Sequence, residues 1–275
     1  MMINSIQKAK ELGKKIRINS LKMTNVGNSS HIGAVFSMAD ILAVLYECIL
    51  VYDNSDAKFD KRDRFILSKG HAGAGVYSVL AEKGFISKDE LMTHYQNGSK
   101  LSGHISHLGL PGIEVSTGSL GHGLSIASGM ALSSKIDKKS HKIYTIISDG
   151  ECNEGSTWEA ALFASHNHLD NLVVIIDRNN FQSIKETEKT LKLEPLASKW
   201  ISFGWDVEEI DGHDYKQIYN AVANSSKNNC PKCIIAKTIK GKGVSFMENN
   251  NLWHYRSPQG EEYNNALKEL KNDER

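Results

Sequence analysis

Two apolar runs of strand length constrain this chain most. Lys142-Ile143-Tyr144-Thr145-Ile146-Ile147 is rich in β-branched residues and ends in the acidic turn Ser148-Asp149-Gly150. Leu172 to Ile176 is a second continuous apolar run, followed by Asp177-Arg178-Asn179-Asn180-Phe181. Runs without polar alternation fit strands covered on both faces of a parallel sheet. Between them, Asn153 to Asn167 reads as a helix, with Trp158, Ala161, Leu162 and Ala164 at helical spacing and Glu151 and Glu154 in or near its first turn. Strand, helix and strand predict a right-handed βαβ unit whose two strands end on the same edge. Asp149 and Asn179, 30 positions apart, then converge where open α/β sheets bind ligands. Carboxylate, amide oxygen and backbone carbonyl are hard ligands, suited to Mg²⁺ or Ca²⁺. Gly150 lets the backbone approach a phosphate, and a helix N-terminus favours the anion. Alone, Asp-Gly is an ordinary turn and Asn-Asn an ordinary loop. Together, at two strand ends, they predict an ion that holds a diphosphate.

The chain has 275 residues, 40% hydrophobic and 24% charged, enough for one large α/β domain with a full core. A net charge of +1 gives no electrostatic case for nucleic acid or a membrane surface. No apolar run is read as approaching the roughly 20 residues of a membrane span. The polar N-terminus, Met1 to Lys15, lacks the apolar core of a signal peptide, so a cytoplasmic protein is expected. Of the four cysteines, Cys230 and Cys233 form a CxxC without the second pair or the spaced histidines of a zinc site. Cys152, close to the expected diphosphate site, is read as open to oxidation.

Further helices are expected over Ser5 to Val26, over Ser37 to Val51 with Ser37 as N-cap, and over Ala72 to Lys83, Lys88 to Tyr95, Tyr215 to Asn224 and Glu261 to Asn272. Leu120 to Lys135, rich in Gly, Ala and Ser, reads as a buried helix. Phe65 to Leu67, Trp205 to Ile210 and Cys233 to Ala236 read as strands. Gly98 to Gly118 is a Gly- and His-rich loop, long enough to be functional. Five of the 11 histidines lie in loops or at element ends: His31, His71, His104, His122 and His254. Imidazole there can donate to phosphate, move protons near neutral pH or hydrogen-bond a sugar hydroxyl.

The chain resembles the thiamine diphosphate (ThDP) enzymes, and within them the N-terminal half of transketolases or the N-terminal subunit of split ones. Asp149-Gly150 through Asn179 matches the family's Gly-Asp-Gly motif followed by a distant Asn. Glu154-Gly155-Ser156-Thr157-Trp158-Glu159-Ala160, Asp170-Asn171-Leu172, Arg64 to His71 and Thr117-Gly118-Ser119-Leu120-Gly121 are similar to the family as well. The likeness runs from about Ile16 to about Pro258, with Ser148 in place of the motif's first Gly. It implies a three-layer, doubly wound, mostly parallel α/β sheet. It implies metal ligation by Asp149, Asn179 and the Phe181 carbonyl. It further implies cofactor contacts from His71, Gly118, Leu120, His122, Asp149, Gly150, Glu151, Asn179 and His254. His31, His71, His104 and His254 would line the cofactor and donor-sugar channel, and Glu154 would couple two active sites across a subunit interface. Lys240-Gly241-Lys242-Gly243 resembles the family's cofactor-covering loop. Tyr255-Arg256-Ser257 replaces the family's small residues and would reshape the channel.

The cofactor also needs a glutamate on its aminopyrimidine, which transketolases carry in a following domain, together with the phosphate-clamping arginines. This chain, read as a single diphosphate-binding domain over 1–275, would take both from a separate C-terminal transketolase-like subunit in an α2β2 assembly. The expected activity is transfer of a two-carbon ketol unit from a ketose or ketose phosphate to an aldose, dependent on ThDP and on Mg²⁺ or Ca²⁺. Alternatives are a specialised ThDP-dependent ketol or acyl transfer or decarboxylation in sugar biosynthesis, and a non-catalytic regulatory module that kept the fold.

Overall fold

Both apolar runs become central strands. The computed structural model describes residues 2–224, 226 and 229–272. Strands β1 (Arg64–Leu67), β2 (Ile143–Ser148), β3 (Leu172–Arg178), β4 (Asp206–Asp211) and β5 (Lys232–Lys237) form one sheet of order β1-β2-β3-β5-β4, and every pairing is parallel. The α-helices are α1 (Met2–Gly27), α2 (Ile32–Val44), α3 (Gly73–Glu82), α4 (Gly123–Ile136), α5 (Gly155–His166), α6 (Thr187–Thr190), α7 (Leu196–Ser202), α8 (Tyr215–Ala223) and α9 (Gly260–Asn272).

Strand side chains alternate between two apolar layers. Tyr144 and Ile146 of β2 and Val173 and Ile175 of β3 pack with Ile16 of α1, Phe36 of α2, Leu80 of α3, Ile218 of α8 and Leu270 of α9. Ile143 and Ile147, with Val174 and Ile176, pack with Leu124 of α4, Ala161 of α5 and Trp200 of α7. Every residue of β2 and β3 is buried, which is why neither run shows polar alternation. β4 lies at the edge, where Glu208 and Glu209 pair with Lys232 and Lys237 of β5. The chain steps β1, β2, β3 in one direction and returns from β4 to β5 in the other. Right-handed crossovers therefore put α5 and α8 on opposite faces.

Several sequence expectations change. Ser37 is no N-cap, because α2 begins at Ile32. Ser37 is buried inside the helix and donates to Ala34 O and to Asp177 Oδ2. The helix α4 is buried on one face only, leaving Ile136 exposed at its end. The segment Ile32–Ile49 does reach the length and hydropathy of a membrane span, but 83% of it is buried inside the fold, as in a core helix. The sequence gives no clear sign of α7; its core anchor is Trp200, edge-on to Trp205.

Candidate active site

The register of the parallel strands sets the site. Ser148 pairs with Asp177 and Asp177 with Ala236, so β2, β3 and β5 end side by side. Asp149, Asn179 and Thr238 follow directly, as the βαβ reading requires.

Asp149 is fully buried. Its Oδ1 accepts from the Gly150 amide at 2.8 Å, and its Oδ2 from the Asn180 amide at 2.7 Å and Arg178 Nη1 at 3.1 Å. Burial pushes its carboxyl up to about 6, with Asp177 adding to the rise and Arg178 opposing it. Asn179 Oδ1 accepts the Phe181 amide at 3.0 Å. Among the described residues no three His, Cys, Asp or Glu side chains gather as a metal cage. An ion here would thus rest on few protein oxygens and take others from its ligand. Magnesium with a diphosphate commonly binds that way. The donor set fits: hard oxygens, one pair of them on a buried carboxylate.

Beneath this pair lies a hub that sequence reasoning missed. Asp177 accepts from Ser37 Oγ, Lys69 Nζ, Thr238 Oγ1 and Asn179 Nδ2, so α2, β1, β3 and β5 meet on one carboxylate. Lys69 beside it keeps Asp177 below the usual carboxylate range despite burial. The available signal was a charged residue continuing an otherwise apolar strand. Arg178, likewise unflagged, ties Asp149 to Thr187 and Glu188 of α6 and to Glu194 beyond it.

Glu151 is fully buried in a 3₁₀ turn (Gly150–Asn153) that leads directly into α5. Its carboxylate accepts from Ser68 Oγ and from the amides of Gly121 (2.8 Å) and Ser148 (3.2 Å). It therefore holds the loop through Gly118 and Leu120 against the strand ends. Gly118 is forced by packing, since a Cβ there would lie 2.9 Å from His104 Cδ2. Glu154, at the N-cap position of α5, is exposed and makes no capping bond.

The histidines His31, His71, His104 and His254 converge. Ring centroids lie 5.1 Å apart for His31 and His71, 5.5 Å for His31 and His104, 4.9 Å for His31 and His254, and 5.9 Å for His71 and His254. His31 sits at the centre, and its backbone takes the left-handed conformation (φ 76°) as N-cap of α2. Such a conformation costs a bulky residue on the order of 1 kcal/mol. Its amide donates to His254 O at 2.7 Å, which holds the two loops together. Burial is the main reason that the pKa falls to about 4 for His31, to about 3 for His254 and well below the usual value for His71. At neutral pH these are uncharged imidazoles.

Lys240 lies against the cluster through His254. It is 1% exposed, and its Nζ donates to Gln182 O (3.0 Å), Asn251 Oδ1 (2.7 Å) and His254 Nδ1 (3.0 Å). Its ammonium also lies 5.6 Å from the Phe181 ring centroid. Burial lowers its pKa to about 8.

Other expectations fare differently. His122 is exposed and meets none of the four rings; its Nδ1 lies 3.2 Å from Leu120 O. Arg256 does not reshape the channel, because it pairs with Glu262 at 2.6 Å over the Trp253 ring. Tyr255 alone reaches the cluster, 4.8 Å from His254 and 6.0 Å from His31. Cys152 is buried and its pKa is raised well above a free thiol's, chiefly by burial, so it is shielded from oxidation. Cys230 and Cys233 are not bridged, and Cys233 is in the core.

Residues 8–272 match the family described as transketolase, thiamine diphosphate binding domain. The chain is 41% identical over 267 residues to one of the subunits of the apulose-4-phosphate transketolase of Actinobacillus succinogenes, covering 97% of this chain and 96% of that one. It is 39% identical over 261 residues to the 6-deoxy-6-sulfo-D-fructose transketolase subunit SqwG of a Clostridium species, covering 94% of this chain and 94% of that one. Transketolase from Campylobacter jejuni superimposes with a TM-score of 0.90 at 33% identity, over 99% of this chain and 44% of that one. The chain thus spans less than half the length of that transketolase, but nearly all of the two subunits.

Proposed function

The chain belongs to the transketolase family, and from that premise we propose that it works as the diphosphate-binding subunit of a split transketolase. It transfers a two-carbon ketol unit from a ketose or ketose phosphate to an aldose. The carrying observation is the convergence of His31, His71, His104 and His254, with the buried Lys240 ammonium on His254 and over the Phe181 ring that follows Asn179.

In this reading a divalent ion sits on Asp149, Asn179 and the Phe181 carbonyl, and it holds the diphosphate of ThDP. The bound cofactor supplies the electron sink for breaking and forming a carbon–carbon bond beside a carbonyl. This chain supplies the rest of its half-site. Lys240 places positive charge beside the anion and fixes the His254 ring. Because the ammonium donates to Nδ1, the His254 proton lies on Nε2, facing away from Lys240. Uncharged histidines can take up a proton from a sugar hydroxyl and return it to the developing alkoxide. Glu151 acts on the cofactor at one remove, by holding the loop through Gly118 and Leu120.

The pyrimidine-binding half comes from a partner chain, in an α2β2 assembly. Relatives whose names make them subunits of a larger transketolase support this, as do the exposed apolar Leu162 and Phe163 on α5, the helix that Glu154 opens. The names of two relatives point to ketoses carrying a terminal phosphate or sulfonate, and we extend that donor class to this chain.

Calorimetry on the reconstituted pair of subunits tests the reading. ThDP with Mg²⁺ should bind, and Asp149→Ala should weaken binding at least a hundredfold. Undiminished binding in that variant, or decarboxylation of a 2-oxo acid without any ketose cleavage, would sink it.

A further inference from the structure

Tyr255 is 65% exposed, yet its ring is not loose on the surface. It stands edge-on to His254 at 4.8 Å (interplanar angle 72°) and to His31 at 6.0 Å (60°). His31 is the most central of the four histidines, and His254 is the one that Lys240 holds. The Tyr255 backbone ends the short 3₁₀ turn Asn251–His254, which Asn250 caps through the Leu252 amide at 3.1 Å. The turn is anchored at both ends: Asn251 Oδ1 accepts from Lys240, Trp253 Nε1 donates to Phe246 O, and Ser257 Oγ donates to Thr24 O. The ring is thus carried on a fixed support. The neighbouring cation is withdrawn, because Arg256 is held by Glu262. This wall is therefore aromatic, neutral and open to an incoming molecule.

We propose that Tyr255 determines donor specificity: its ring walls the approach to the histidine cluster, packs on the carbon chain of the ketose beyond the bond that breaks, and crowds long chains. The inference rests on the reading of the histidine cluster as the substrate channel. An aromatic face suits the C–H face of a sugar and offers no charge to a terminal anion, which must find its partner elsewhere. Discrimination by shape in such a pocket is worth roughly 10- to 200-fold.

The reconstituted, ThDP-loaded complex is assayed with hydroxypyruvate, a five-carbon ketose phosphate and a seven-carbon ketose phosphate, as wild type, Tyr255→Gly and Tyr255→Phe. The wild type should favour the shorter donors. Tyr255→Gly should raise kcat/KM for the seven-carbon donor about tenfold relative to hydroxypyruvate, mainly through KM. Its ThDP affinity by calorimetry should stay within about twofold of wild type. Tyr255→Phe should keep the wild-type selectivity, because the ring acts and not the hydroxyl. Equal changes for all three donors overturn the proposal while the functional reading stands, and so does a Phe variant that behaves like Gly. A complex that binds the cofactor but cleaves none of the donors overturns both.

Discussion

Lys240 is a buried ammonium group among neutral donors and acceptors, and a sequence would not lead one to bury it. Its three hydrogen bonds go to Gln182 O, Asn251 Oδ1 and His254 Nδ1, and none of these is a carboxylate. A buried charge without a direct counter-ion is costly, which explains its lowered pKa of about 8. It makes sense as a charge awaiting an anion. Lys240→Met keeps most of the chain length and removes the charge. Charged hydrogen bonds are worth about 1.5–3 kcal/mol, so ThDP affinity should fall roughly 10- to 100-fold. The fold should persist, since Gly33 and the surrounding loops pack on the alkyl stem. Calorimetry beside a thermal melt separates the two effects. An unchanged affinity in a folded variant would remove Lys240 from the site.

Among elements, α1 and α2 are locked by a pair that lies away from the histidine cluster. Arg17 of α1 grips Asp40 of α2 with both terminal nitrogens, at 2.7 and 2.6 Å. His213 Nδ1 and Tyr215 Oη also donate to Asp40, and His213 Nε2 accepts the Ile239 amide, next to Lys240. Burial works to raise the Asp40 carboxyl, but Arg17 and His213 together hold it far below its usual range. Asp40→Asn leaves a buried guanidinium without its charge partner, which costs about 3–5 kcal/mol. Denaturant unfolding should show that loss, and the melting temperature should drop by roughly 10 °C. A loss below about 1 kcal/mol would show that the pair is easily relaxed. The strands, α3, α5, α8 and α9 were legible because apolar period and length carry them. The start of α2 was not, because Ser37 looks like a cap in sequence but donates across the core to Asp177. In the site, Asp149 and Asn179 could be read directly from their strand-end turns, whereas the four histidines were picked from five loop candidates only through the family resemblance. Asp177, Lys69 and Arg178 could not: their meaning lies in the register of β3 against its neighbours, which no local pattern contains.

For the whole molecule, the buried titratable groups set an acid limit on the fold. His31 and His94 have pKa values of about 4 and His254 of about 3, with His71 lowered as well, all chiefly by burial. An unfolded histidine titrates near 6.5. As pH falls below that value the unfolded chain takes up protons that the folded chain refuses, so these four stabilise above about 6.5 and lose that contribution as pH falls toward 3–4. Asp149, raised to about 6, and Glu151, raised in the same direction, oppose them. Between about 4 and 6 the folded state holds a proton on Asp149 that the unfolded state has released. His31, His94 and His254 against Asp149 leave about two protons taken up on unfolding near pH 5. The corresponding slope is at most about 3 kcal/mol per pH unit, given 1.36 kcal/mol per proton. Scanning calorimetry without cofactor should therefore show the melting temperature falling steadily from pH 7 to pH 5. The double variant His31→Asn, His254→Asn should flatten that fall. A flat wild-type profile over this range would mean that the cluster is already protonated or solvated at neutral pH, and the proton-accepting role assigned to it would fail.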